Sequence, residues 1–125
     1  MTVTLPIASP QFLFEEICRA ATEEAEYHRG EFGLFLVVSK GAVDRIETLL
    51  RGNTSRHDRF VRLDDATLAV VAVAEQAGLD AMERRLRRLL EEARCEVRVA
   101  RAIFPHDADD PARLLDVARR RCHTS

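Results

Sequence analysis

The chain has 125 residues, which suits one domain and is too short for two of ordinary size. With 46% hydrophobic and 32% charged residues it has the material for a core and a solvated exterior, which excludes a disordered tail. Its net charge of −2 provides no general attraction to nucleic acid or anionic lipid, so neither is expected as a partner.

All but one of the 19 basic residues are Arg, Lys40 being the exception, which together with the many alanines reads as genomic codon bias. Cys18, Cys95 and Cys122 lie far apart with no CxxC pair, as expected of small core thiols in a reducing, cytoplasmic setting. His28, His57, His106 and His123 stand at no metal-ligand spacing from one another or from a cysteine. No metal and no cofactor are expected. MTVTLPIASP lacks the basic and apolar regions of a signal peptide, and LFLVV at 34–38 is far too short to span a bilayer, so membrane insertion is not expected.

Residues 1–8 read as a short extension of a single domain that takes in the whole chain, 1–125. Ser9-Pro10 is a helix-start pair, since Ser caps and Pro at the first helical position loses no needed N–H. Phe14, Ile17, Cys18, Ala21 and Ala25 then recur on one helical face that ends near Gly30. FGLFLVV at 32–38 reads as a strand buried on both faces. Val43, Ile46, Leu49 and Leu50 form a second amphipathic helix, stopped by Gly52-Asn53.

Two strands follow, at 59–63 and 67–73, with only Asp64, Asp65 and Ala66 between them, which predicts a tight antiparallel hairpin. A long helix is predicted from Gly78 to Arg94, with Leu79, Met82, Leu86, Leu89, Leu90 and Ala93 inward. On its outer face Asp80 with Arg84, Arg87 with Glu91 and Arg88 with Glu92 are spaced for ion pairs, so the Arg84–Arg88 cluster reads as a solvated face. EVRVARAIF at 96–104 is a strand, and Asp110-Pro111 opens a last helix with Leu114, Leu115, Ala118 and Cys122 inward. The expected fold is α/β (an α+β sandwich): a ferredoxin-like or polymerase-palm β-α-β-β-α-β core with an extra N-terminal helix and a C-terminal helix. That superfold hosts many functions, so function must come from particular residues.

RFVRLDDATLAVVAV resembles the hairpin of diguanylate cyclase (GGDEF) domains, with Arg62, Leu63, Leu68, Ala69, Val70 and Val71 on the flanking positions. VRVARAIFPHDADDPARLLDVA is similar to the closing segment of that family, with Phe104, Pro105, Asp107, Leu114, Leu115 and Ala118 in matching order. The similarity extends over about residues 12–122. What the resemblance implies for chemistry is a two-metal site held by an Asp ending the first strand and an acid of the hairpin motif. This sequence departs at both places. Val38-Ser39-Lys40 ends the first strand without a carboxylate, Asp64 and Asp65 replace the two glycines, and Ala66 and Thr67 replace the two acids, just before Leu68. Hard cations need carboxylate oxygens, which Ala and Thr do not supply. The side chains of Asp64 and Asp65 add bulk and negative charge where the family's glycines admit a nucleotide.

Many cyclases also bind cyclic di-GMP through an RxxD. Asp58 stands at the Asp position, but Ser55 takes the Arg position, with Arg56 and Arg59 out of register. Adjacent Ser39-Lys40 points two ways out of a strand and makes no nucleophile pair. The expectation is therefore a non-catalytic, diguanylate cyclase-like signalling or scaffold module whose partner is another protein, a second copy of the chain included. Two alternatives stand beside it. One is an effector that holds cyclic di-GMP or another nucleotide through Arg56, Arg59 or Arg62, near Asp58. The other is an unrelated ferredoxin-like regulatory module.

Overall fold

A computed structural model describes residues 9–28, 31–41, 43–54 and 58–124. The elements run α1 (Pro10–His28), β1 (Glu31–Ser39), α2 (Asp44–Arg51), β2 (Arg59–Asp64), β3 (Thr67–Ala74), α3 (Gln76–Glu92), β4 (Val97–Phe104) and α4 (Pro111–Thr124). The four strands form one antiparallel sheet in the order β2-β3-β1-β4. This is the expected α+β core, with α1 ahead of it and α4 after it.

Local chemistry accounts for the helix starts. The Ser9 hydroxyl accepts the Phe12 N–H at 3.1 Å, and the Asp110 carboxylate accepts the Ala112 N–H at 2.8 Å. Each capping residue stands just before a proline, which has no N–H, and satisfies an orphan donor of the first turn. α3 begins at Gln76, two residues before the expected Gly78, and ends at Glu92 rather than Arg94. The Glu75 carbonyl accepts the Leu79 N–H at 3.0 Å and so starts the helix earlier than the apolar periodicity does. The predicted end at Gly30 and the extension 1–8 lie outside the described residues.

The sheet separates two cores. Phe14, Cys18 and Ala21 of α1 pack with Leu114, Leu115, Ala118 and Cys122 of α4 on one face. Ile46 and Leu50 of α2 pack with Leu79, Leu86 and Leu90 of α3 on the other. Met82, Leu89 and Ala93, expected inward, are only half-buried. The two inner strands, β1 and β3, are buried from Phe32 to Val37 and from Thr67 to Ala72, which explains their unbroken apolar runs. Cys18 and Cys122 are core thiols, and Cys95 is half-buried. No helix among the described residues is long and apolar enough to cross a membrane.

Candidate functional site

The β2–β3 hairpin and the end of β1 meet at one rim of the sheet. Val38 pairs with Thr67, and the ladder continues as the Ser39 N–H donates to the Ala66 carbonyl at 2.7 Å. The hairpin is tighter than the three-residue loop predicted, because Asp64 pairs with Thr67 and only Asp65 and Ala66 form the turn. A register shift between Arg62 and Asp64 accommodates the extra residue.

Both acids of the tip are tied into the turn, Asp64 by its side chain and Asp65 by its backbone. The Asp64 carboxylate accepts the Ala66 N–H at 2.8 Å, an Asx turn, and the Asp65 carbonyl accepts the Val43 N–H at 3.0 Å from the entrance to α2. Thr67 is buried at 8% exposure and Leu68 completely. Across the rim, the Ser39 hydroxyl accepts the Gly41 N–H at 3.1 Å while Lys40 pairs with Glu96 at 3.1 Å. Ser39 and Lys40 thus face different partners and form no nucleophile pair. A cavity of about 480 Å³ adjoins the β4 side of this rim, with Ser39, Lys40, Cys95, Glu96 and Arg98 on its lining.

Among the described residues, the arginines near the hairpin are not brought together. Arg59 leaves β2 toward α1 and reaches Glu24 at 3.9 Å. Arg62 leaves toward α2, meeting Asp44 at 2.7 Å and Glu47 at 3.3 Å. Its bond to Asp44 pushes its pKa above the ordinary guanidinium value. Strand alternation puts the two side chains on opposite sheet faces, so they cannot grip one ligand. Arg56 lies outside the described residues, as does Ser55. Asp58 lines a separate cavity of about 240 Å³, with Thr54, Met82 and Arg85.

The expected ion pairs on α3 do not form. Asp80 binds Arg101 rather than Arg84, and Arg87 binds Glu83 at 3.1 Å rather than Glu91. Arg101 also reaches Glu83 at 3.3 Å. A cross-element partner on β4 outcompetes the exposed helical neighbour because Arg101 is three-quarters buried and needs its charge matched. Arg84, Arg85 and Arg88 are exposed, and none has a salt bridge among the described residues.

Sequence reasoning missed the chemistry after β4. Asp107 takes a two-pronged contact from Arg121 at 2.8 and 3.0 Å, and its carboxylate accepts the Ile103 N–H at 2.7 Å. The Arg121 bond holds the Asp107 pKa below its usual value and more than offsets burial, which acts in the opposite sense. The spacing of Asp107 from a helix-borne Arg could not be read from a linear pattern.

At the level of sequence, no family model and no curated protein matches the chain. Solved structures do. A sensory box/GGDEF family protein from Caulobacter crescentus superposes with a TM-score of 0.77 at 12% identity, covering 89% of this chain and 88% of that one. The GGDEF domain of YfiN (TpbB) from Pseudomonas aeruginosa gives 0.75 at 20% identity, covering 95% and 87%. The FimX GGDEF domain from the same organism gives 0.71 at 14%, covering 90% and 85%. The chain has the GGDEF-domain fold. Nearly full coverage of both partners extends the agreement to the whole element order, not to the hairpin alone. The divalent cations that the fold family implies do not suit the donors here. Val38, Ser39, Ala66 and Thr67 carry no carboxylate, and among the described residues no group of three or more His, Cys, Asp or Glu could hold a metal.

Proposed function

We propose that this GGDEF-like domain is a non-catalytic signalling or scaffold module that recognises another protein, working in the cytoplasm. The observation that carries the reading is the rim itself. Carboxylates are missing from both GGDEF ligand positions, and the two acids that remain are built into the turn, Asp64 by its side chain and Asp65 by its backbone. Two-metal phosphoryl transfer needs ligands that hold both cations against the triphosphate, and their loss removes several kcal/mol of transition-state stabilisation. Asp64 cannot serve as a replacement without dismantling the Asx turn, and the one remaining carboxylate, Asp65, does not by itself hold two cations. Incubation of the purified chain with GTP and magnesium or manganese should therefore yield no cyclic di-GMP above a buffer control. Product formation that Asp64→Ala or Asp65→Ala abolished would overturn the reading.

A second reading, an effector for cyclic di-GMP, draws support from Asp58 and Arg85 sharing one cavity. Its volume of about 240 Å³ is below the ~300–1,000 Å³ of ordinary small-molecule sites, and neither Arg59 nor Arg62 reaches it. Protein recognition is favoured on those grounds.

A further inference from the structure

The sheet has two edges, and the β4 edge is closed in an unusual way. The Lys40 N–H donates to the Glu96 carbonyl at 3.2 Å, which sets the phase of the β1–β4 ladder: even-numbered residues of β4 bond inward to β1. The backbone groups of Val97, Val99, Arg101 and Ile103 consequently point out to the open edge. Arg87 of α3 donates to the Val99 carbonyl at 2.9 Å. Arg121 of α4 donates to the Arg101 carbonyl at 2.7 Å. The Asp107 carboxylate accepts the Ile103 N–H at 2.7 Å, and the Asp107 N–H donates to the Ile103 carbonyl at 2.7 Å. Side chains from both helical layers thus converge on one strand edge, and no comparable clasp lies along β2 among the described residues.

We propose that β4 is a latent self-association strand, held shut by Arg87, Asp107 and Arg121, and that its occupant when released is β4 of a second copy. An antiparallel pairing centred on Ala100 exchanges backbone bonds between Val99 and the partner's Arg101, and between Val97 and the partner's Ile103. The four clasped groups are all among those such a pairing requires. The register is self-complementary in charge, because each Arg101 carries its own acids, Asp80 and Glu83, and brings no bare cation to the junction. It is also continuous with the fold, since two four-stranded sheets would join into one of eight. Unpaired edges template such pairing unless side chains cover them.

The test is sedimentation velocity over a concentration series, comparing the parent chain with the Arg87→Ala, Arg121→Ala double variant. The double variant should associate, with a midpoint at least about tenfold lower in concentration than any association of the parent, the effect of losing one charge-assisted bond that blocks the edge. Adding Val99→Pro should abolish that gain. Proline is tolerated on an edge strand where its N–H side faces outward, and here it removes an outward N–H that the junction gives to the partner's Arg101 and the parent sheet does not use. Should the double variant fold poorly by circular dichroism, Arg121→Gln alone is used, which unlocks the Arg101 carbonyl and part of the Asp107 clasp. A folded unlocked variant with the parent's sedimentation overturns the proposal. So does association that persists with Val99→Pro, since it must then use another surface.

Discussion

Asp107 shows how one side chain can hold a segment that has no regular structure. It ties the turn after β4 to the strand through Ile103 and to α4 through Arg121. Replacing it by Ala removes a charge-assisted pair and leaves a strand N–H exposed, a loss of about 2 kcal/mol, or about 10 °C in melting temperature. The pH dependence follows from the lowered pKa. Stability from this group is present above the unfolded Asp value, near 3.9, and is lost as pH falls through the lower folded value. The stability gap between the parent and Asp107→Asn should therefore be widest near neutrality and close below about pH 4, followed by urea denaturation at each pH. A gap that is constant with pH would assign the effect to packing instead. Burial acts just as locally on the thiols. It pushes Cys18 up to about 12 and raises Cys122 as well. Iodoacetamide at pH 8 should label half-buried Cys95 first, with Cys18 and Cys122 modified only on unfolding, as read by peptide mass spectrometry.

The elements differ in how much of them could be read from sequence. β3 is an inner strand, and Val70 and Val71 are buried on opposite faces of it. Aspartate at either site strands an unpaired charge in a core, so Val70→Asp and Val71→Asp should each abolish cooperative melting. The hairpin tip should respond mildly. Asp64→Gly with Asp65→Gly removes one Asx bond, worth about 1 kcal/mol, and leaves both tethering carbonyls in place. A melting curve collapsed by that double change would mean that the carboxylates hold more than the turn. Strand and helix positions were legible because the apolar period switches between two and 3.6 residues, and because Ser9-Pro10 and Asp110-Pro111 punctuate the chain. Side-chain pairing was not legible. Asp80 had an obvious neighbour in Arg84, yet Arg101 lies beside it only once α3 has packed on β4. The start of α3 was misplaced because Gly78 resembles a boundary, while the residues before it cap well enough through backbone bonds alone.

At the scale of the molecule, the fold and the hairpin rim are held by separate interactions. Two separate cores stabilise the GGDEF-like fold, so its retention does not depend on the hairpin rim, where Asp64 makes a turn bond. The hairpin was legible from the two apolar runs that flank Asp64, Asp65 and Ala66. The separation of the arginines was not, because it depends on Arg59 and Arg62 facing different helices. That separation decides the expected outcome of a ligand titration. A bound cyclic dinucleotide presents two phosphates, and a strong site meets them with converging guanidinium groups, whose charge-assisted bonds are about twice as strong as neutral ones. Here Arg62 is held by Asp44 and Glu47, Arg59 lies near Glu24, and among the described residues Arg85 is the arginine that shares a cavity with Asp58. Calorimetric titration with cyclic di-GMP should accordingly give no saturable heat in the micromolar range. A saturable signal lost on Arg85→Ala would make the effector reading the better one. A signal lost on Arg56→Ala but kept on Arg85→Ala would assign the ligand to Arg56 instead.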